Sequence, residues 1–401
     1  MHLPIRIFAV VAALALAACA TPSPKLAATA PTYQPLLLDA QFGERPAEVT
    51  ASNVFALDDD MRRYLRDEMP RLVRRSGPIR GLLDALYDKG QLKLEYDAAR
   101  TRTASEAFAA RQGNCLSLVI MTGALARELG LDVRYQQVFT EAEWQRQGDL
   151  LVNANHVNLR LDTAPRDWKT LTRDGGTALV VDFLPTADAS RLFASELSEA
   201  TVLAMFMNNR AAESIAVGEL RTAYWWARDA VVRDARFLPA YSTLAVIYRR
   251  SGLLEPAIAI LAEALRHAPE DPVVLANQAG FLRDAGRIGE AAAIEARLKR
   301  IEPVPPYHWF HKGLAALKAG DYANAREWFA KDLQRQPHNA EFHFGMAAAF
   351  IGTGDLAKAR EHFAQAREDS TTSDARALYS AKLHMIERRI ACGAKGCEPA
   401  N

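Results

Sequence analysis

Net charge is the first thing this 401-residue chain lacks: 49 Lys and Arg stand against 48 Asp and Glu, leaving +1. Such a balance gives neither nucleic acid nor an acidic surface an electrostatic reason to bind, and no nucleic-acid partner is expected. Cysteine is scarce as well, four in the whole chain. That excludes a disulfide-dense framework, and the C-x4-C pair near the end lacks the two further ligands of a structural metal site. The apolar run Ile7–Ala18 has twelve residues, too short to cross a bilayer as a helix. No spacing of ligands or glycines points to a metal, nucleotide or calcium site, so no cofactor is expected. What remains is an ordinary composition, 49% hydrophobic, at a length that suggests two or three domains.

The N-terminus departs from this background. A short basic stretch up to Arg6 precedes Ile7–Ala18, which has the length of a secretory h-region. It closes with Leu16-Ala17-Ala18-Cys19, which resembles the lipobox of bacterial lipoproteins. The resemblance implies a signal peptide over 1–18, lipid on the sulfur of Cys19, and a lipid anchor in the bacterial cell envelope. Ala20 after the cysteine leans toward the outer membrane, facing the periplasm. Residues 19–45, rich in Ala, Thr and Pro, are expected to form a flexible tether. In an oxidising periplasm Cys392 and Cys397, in the tail 392–401, are expected to pair with each other. Cys115 is then the unpaired thiol, worth attention in an exported chain.

Residues 46–200 read as helices followed by strands. From Asp58, a fitting cap, Met61, Tyr64, Leu65, Met69 and Leu72 fall on one helical face. Pro78 opens a further helix through Tyr87. Thr103-Ala-Ser-Glu106 is a capping-box pattern whose helix should stop on a left-handed Gly113. Asn114 then caps a helix from Cys115 to about Leu129, apolar nearly all round and hence buried. Its first turn sets the sulfur at the positive end of the helix dipole, a position that favours reactivity. Strands are expected at 133–139, 155–161 and 178–184, in an antiparallel sheet. The long polar loops 140–152 and 163–177 are candidates for a functional role.

The second half repeats. Gly218, Gly252, Gly286, Gly320 and Gly354 are each 34 apart, and Ala223, Ala257, Ala291, Ala325 and Ala359 follow five residues later. Ala211, Ala245, Ala279, Gly313 and Ala347 lie seven before each glycine. Small residues where two antiparallel helices approach, with glycine at their turn, resemble the tetratricopeptide repeat. Five repeats and a capping helix are expected over 201–391, presenting a concave face to a protein or peptide partner. The pairs Trp225-Trp226 and Trp309-Phe310 should pack the solenoid core.

Cys115 at a helix start, His156 on one strand and Asp182 on another supply a nucleophile, a base and a group to orient the base. The order Cys, His, Asp on helix, strand, strand resembles the transglutaminase-like superfamily within the papain-like cysteine hydrolases. The likeness rests on Arg111-Gln-Gly-Asn-Cys115-Leu-Ser-Leu118, Ala124-Leu-Ala-Arg-Glu-Leu-Gly-Leu-Asp-Val-Arg134, Asn155-His156-Val-Asn-Leu159 and Val180-Val-Asp182-Phe183, and spans roughly 95–190. Asn158 and Leu179 stand where that superfamily often carries aromatics. The fold so implied is an α+β transglutaminase-like (papain-like) domain followed by an all-α tetratricopeptide-repeat solenoid. Gln112 and Asn114 are both candidates for a side-chain oxyanion donor beside the Cys115 amide. The implied activity is hydrolysis or acyl transfer at an amide or peptide bond. The alternative is a catalytically silent scaffold whose front domain only binds.

Overall fold

The computed structural model describes residues 32–88, 90–97, 99–138, 144–147, 150–153, 156–163, 178–183, 194–304, 307–370 and 373–395. The signal-peptide and Cys19 expectations fall outside these residues, as do the side chains of Cys392 and Cys397. Among the described residues no helix is long and apolar enough to cross a membrane.

The first apolar face is carried by two helices rather than one, α2 (Asp59–Asp67) and α3 (Met69–Ser76). Asp58 caps α2 by accepting the Met61 amide at 2.8 Å. Pro70 at the start of α3 has no amide to donate, which breaks the helix at Glu68 while Met61, Met69 and Leu72 stay buried. Pro78 opens α4 (Pro78–Tyr87). The strand β1 (Glu95–Tyr96) pairs in parallel with β2 (Gln112–Gly113).

Between them lies α5 (Ala104–Ala110), begun by the expected capping box: Thr103 accepts the Glu106 amide and Glu106 accepts the Thr103 amide. Its left-handed stop is Arg111, at φ 54°, not Gly113. Gly113 is drawn into β2, and glycine is needed there for proximity instead of turning. A Cβ on Gly113 would stand 2.7 Å from the Ser117 Cβ.

The helix α6 (Cys115–Glu128) is buried continuously from Leu116 to Ala126. It packs on β3 (Leu131–Val138) and β6 (His156–Thr163). With β7 (Leu179–Val181) and β8 (Ala194–Leu197) these form an antiparallel sheet in the order β7-β6-β3-β8. The sheet agrees with expectation, and β8 is an addition: Ala-Ser-Glu-Leu lacks the branched residues that mark a strand. A hairpin of β4 (Trp144–Gln147) and β5 (Leu150–Asn153) occupies part of the span read as loop. The rest of loops 140–152 and 163–177 lies outside the described residues, apart from Thr163 at the end of β6.

Five antiparallel helix pairs follow: α7 (Glu199–Ala216) with α8 (Leu220–Arg233), α9 (Leu238–Arg250) with α10 (Leu254–His267), α11 (Pro272–Asp284) with α12 (Ile288–Ile301), α13 (His308–Lys318) with α14 (Tyr322–Arg335), and α15 (Ala340–Gly352) with α16 (Leu356–Glu368). The helix α17 (Ser373–Lys395) covers the last pair. Each repeat glycine turns the chain at positive φ, between 73° and 82°. The five alanines behind them are at most 1% exposed, which is why no larger residue recurs there. Trp226 is buried as expected, whereas Trp309 is partly exposed and stacks on Trp328.

Residues 32–45, within the span read as tether, lie docked along α8, α9 and α10. Phe42, in the short α1 (Asp39–Phe42), stacks on Tyr224 at 4.0 Å. Asp39 accepts from Tyr224 at 2.5 Å and pairs with Arg228 at 3.2 Å, while Tyr248 donates to the Leu36 carbonyl at 2.6 Å. Arg45 pairs with Asp229, and Thr32 donates to Glu263. The Pro- and Ala-rich composition conceals this because its anchors are few, and their partners lie some 185 to 231 residues away. One apolar core consequently runs from Tyr33 through the sheet to Ala291 in the third helix pair.

Candidate active site

Cys115 opens α6 because Asn114 ends the preceding strand in extended conformation and caps the helix. The Asn114 Oδ1 accepts both the Ser117 amide (2.9 Å) and the Ser117 hydroxyl (2.8 Å), and its Nδ2 donates to Thr101 Oγ1 at 2.8 Å. These bonds hold the Asn114 side chain in its capping role and leave one Nδ2 hydrogen over. Gln112 differs: its side chain makes no hydrogen bond among the described residues. It lines a shallow depression of about 290 Å³ with Leu92, Lys93, Glu95, Ala110 and Arg111. Neither Cys115 nor His156 borders that depression.

His156 is the first residue of β6, opposite Val138 at the end of β3. Asp182 directly follows β7, whose pairing runs Leu159 to Val181 and Arg160 to Val180. This register brings Asp182 to the same end of the sheet as His156 and Asn158. The His156 Nε2 and Asp182 Oδ1 are 2.5 Å apart. The other carboxylate oxygen, Oδ2, accepts from Asn158 Nδ2 at 3.2 Å, and the Tyr87 hydroxyl donates to the Asp182 carbonyl at 3.1 Å. His156 is 6% exposed and Asn158 2%.

Burial is the strongest single influence on the imidazole and favours its neutral form. The hydrogen bond to Asp182, the neighbouring Cys115 and the Asp182 charge together outweigh it and raise the ring to about 9. With Nε2 directed at the carboxylate, the other ring nitrogen, Nδ1, is buried, and among the described residues Cys115 is the further group whose side chain acts on the ring as a hydrogen-bond partner. Cys115 is partly exposed. The arrangement therefore has an imidazole held from one side by a carboxylate, with a thiol beside it. Burial and the Asp182 charge also push the Tyr87 hydroxyl up to about 12, so it remains a donor.

The three residues singled out in the sequence thus share one end of the sheet and the start of one helix. Asn158 is visible in the sequence only as a departure from a resemblance, and Tyr87 not at all. Tyr87 carries no pattern of its own, since it closes α4 and meets Asp182 across 95 residues of chain. Among the described residues no group of three or more His, Cys, Asp or Glu could hold a metal ion.

Residues 316–382 match the family model of the tetratricopeptide repeat, so the C-terminal region carries such repeats. No curated protein matches the chain. Among solved structures, the chain is similar to TTC0263, a thermophilic TPR protein of Thermus thermophilus. The identity is 18% over 45% of this chain and 98% of that one, with a TM-score of 0.31. PilF of Pseudomonas aeruginosa shares 19% identity over 49% and 90% of the two chains, with a TM-score of 0.30. YrrB, described as a TPR protein with an unusual peptide-binding site, shares 20% over 45% and 92%, with a TM-score of 0.24.

Proposed function

We propose that the front domain is a transglutaminase-like thiol enzyme acting on amide or peptide bonds, with the repeat array holding its protein or peptide partner on the concave face. With the proton of the Cys115–His156 pair held on Nδ1, the sulfur of Cys115 attacks the carbonyl carbon. The imidazolium then returns a proton to the departing amine, leaving a thioester on Cys115. Water or a second amine resolves the thioester, giving hydrolysis or transfer. Asp182 fixes the ring through Nε2 and supports its charge, and Asn158 holds the second carboxylate oxygen. The Cys115 amide at the helix start is the donor for the oxyanion.

The observation that carries this reading is the 2.5 Å contact between His156 and Asp182, with Cys115 next to the same ring. Lipid attachment at Cys19 and a place at the outer membrane, facing the periplasm, belong to the same proposal and rest on the lipobox-like residues alone. The test is incubation of the purified chain with a mixture of glutamine-containing peptides and a labelled primary amine. Mass spectrometry then follows acyl adducts on Cys115, released ammonia and labelled peptide. Adducts in the wild type that are absent from Cys115→Ala support the enzyme. Equal behaviour of the two proteins overturns it.

A specific observation favours the scaffold as the second reading. The front domain shares a continuous apolar core with the first three helix pairs of the solenoid. In that reading the front domain is an integral end-piece of a binding array. A partner retained equally by wild type and Cys115→Ala, with no adduct in either, favours it.

A further inference from the structure

The loop before α5 is gripped from two sides. On one side it holds the cap of α6: Thr101 Oγ1 accepts from Asn114 Nδ2 at 2.8 Å, and the Arg102 amide donates to Ser117 Oγ at 2.8 Å. On the other side the Thr101 amide donates to Glu213 Oε1 at 2.6 Å, and Glu213 belongs to α7, the first helix of the solenoid. The second oxygen of Glu213 accepts from Arg210, one helical turn earlier, at 2.7 Å. Thr101 is 1% exposed and Ser117 0%, so the α6 side of this path is shielded from water, while the Glu213 side chain is 27% exposed. An unbroken path of short hydrogen bonds therefore leads from the first repeat to the residue that caps the Cys115 helix.

We infer that Glu213 is a positioning residue for Cys115: through Thr101 and Asn114 the solenoid sets where the thiol stands relative to His156. The inference rests on the reading of Cys115 as a nucleophile. It adds that the front domain is not a self-sufficient catalytic unit, because one acceptor of the site's supporting network is supplied by the repeat array. A partner that displaces α7 is then able to change thiol reactivity without touching the site.

The geometry separates two roles of the carboxylate. Accepting the Thr101 amide needs an oxygen but no charge, whereas pairing with Arg210 needs the charge. The experiment compares full-length wild type, Glu213→Ala, Glu213→Gln and Arg210→Ala. The rate of iodoacetamide modification at Cys115 is read by peptide mass spectrometry, and thermal midpoints are recorded in parallel. Glu213→Ala is expected to slow Cys115 modification about tenfold, as loss of alignment does. Glu213→Gln, which keeps the acceptor, and Arg210→Ala, which leaves Glu213 in place, are expected to stay within about twofold of wild type. A reactive wild type with an equally reactive Glu213→Ala overturns the inference and leaves the nucleophile standing. Slowing of all three variants in proportion to their loss of thermal stability also overturns it, since that marks Glu213 as a purely structural ion-pair member. A wild-type Cys115 no faster than free cysteine removes the nucleophile itself, and this inference with it.

Discussion

The imidazole Nε2 of His156 lies 2.5 Å from the carboxylate Oδ1 of Asp182, and this contact, together with the neighbouring Cys115, outweighs burial and raises the ring from 6.5 to about 9. A proton held more tightly in the folded than in the unfolded chain stabilises the fold. That contribution is complete below the unfolded value of 6.5 and is lost as the pH rises through about 9. Asp182→Asn removes the carboxylate's share of it. The gap in urea midpoint between wild type and Asp182→Asn is expected to be widest near about pH 6 and to shrink above about pH 9. A gap that does not change with pH contradicts the pairing.

Asn158 offers a way to disturb the site without unmaking the sheet. Its Nδ2 donates to Asp182, while its Oδ1 is buried with no partner among the described residues. Asn158→Leu keeps the branching but is larger; it removes the donor and at the same time removes an unsatisfied polar atom. The added bulk is expected to cost about 1–3 kcal/mol of stability. Modification of Cys115 is expected to slow severalfold, because Asp182 loses the bond that fixes its second oxygen. An unchanged rate in a stable variant would take Asn158 out of the network.

In the solenoid, Phe329 of α14 is fully buried between two glycines. A Cβ on Gly313 would meet its ring at 2.5 Å, and one on Gly345 at 2.7 Å. Gly313→Ala must move a ring that has no room to move. It is expected to destabilise the C-terminal repeats by about 1–3 kcal/mol, measured by urea unfolding followed through tryptophan fluorescence. An unchanged midpoint would mean that the fourth repeat tolerates what its four counterparts, all alanine at this position, already carry.

The docked segment 32–45 is expected to stabilise the first two repeats. Phe42→Ala deletes a ring that stacks on Tyr224 and lies near Tyr248, at a site 8% exposed. A loss of about 3–5 kcal/mol is expected, with faster amide exchange in α8 and α9. Exchange unchanged in those helices would show that the segment rests on the solenoid without supporting it.

The legibility of this chain depends on the range of the interactions concerned. Local signals are readable: the Thr103–Glu106 box, Asn114 as a cap, and the glycines and alanines spaced by 34 all stand where their neighbours in sequence require them. The antiparallel sheet is readable from alternation in 155–161, though its edge strand β8 is not. Choices settled by distant contacts are the ones that mislead. Gly113 carries the signature of a helix stop, yet its proximity to Ser117 and its pairing with β1 decide its role, and Arg111 takes the left-handed turn. Segment 32–45 has a linker's composition, and its distant partners, Tyr224, Arg228 and Tyr248 among them, show what it binds. At the site, residue type and order are enough to name Cys115, His156 and Asp182. They are not enough for Asn158, Tyr87 and Glu213, because each acts through a partner on another element.

The most direct measurement is the rate at which iodoacetamide modifies Cys115 at about pH 7, resolved by peptide mass spectrometry. Wild type, His156→Ala and free cysteine are compared under the same conditions. Wild-type Cys115 is expected to react on the order of ten times faster than free cysteine, and His156→Ala to lose that advantage. A Cys115 that reacts no faster than free cysteine, and is indifferent to His156→Ala, would contradict the reading of Cys115 as a nucleophile.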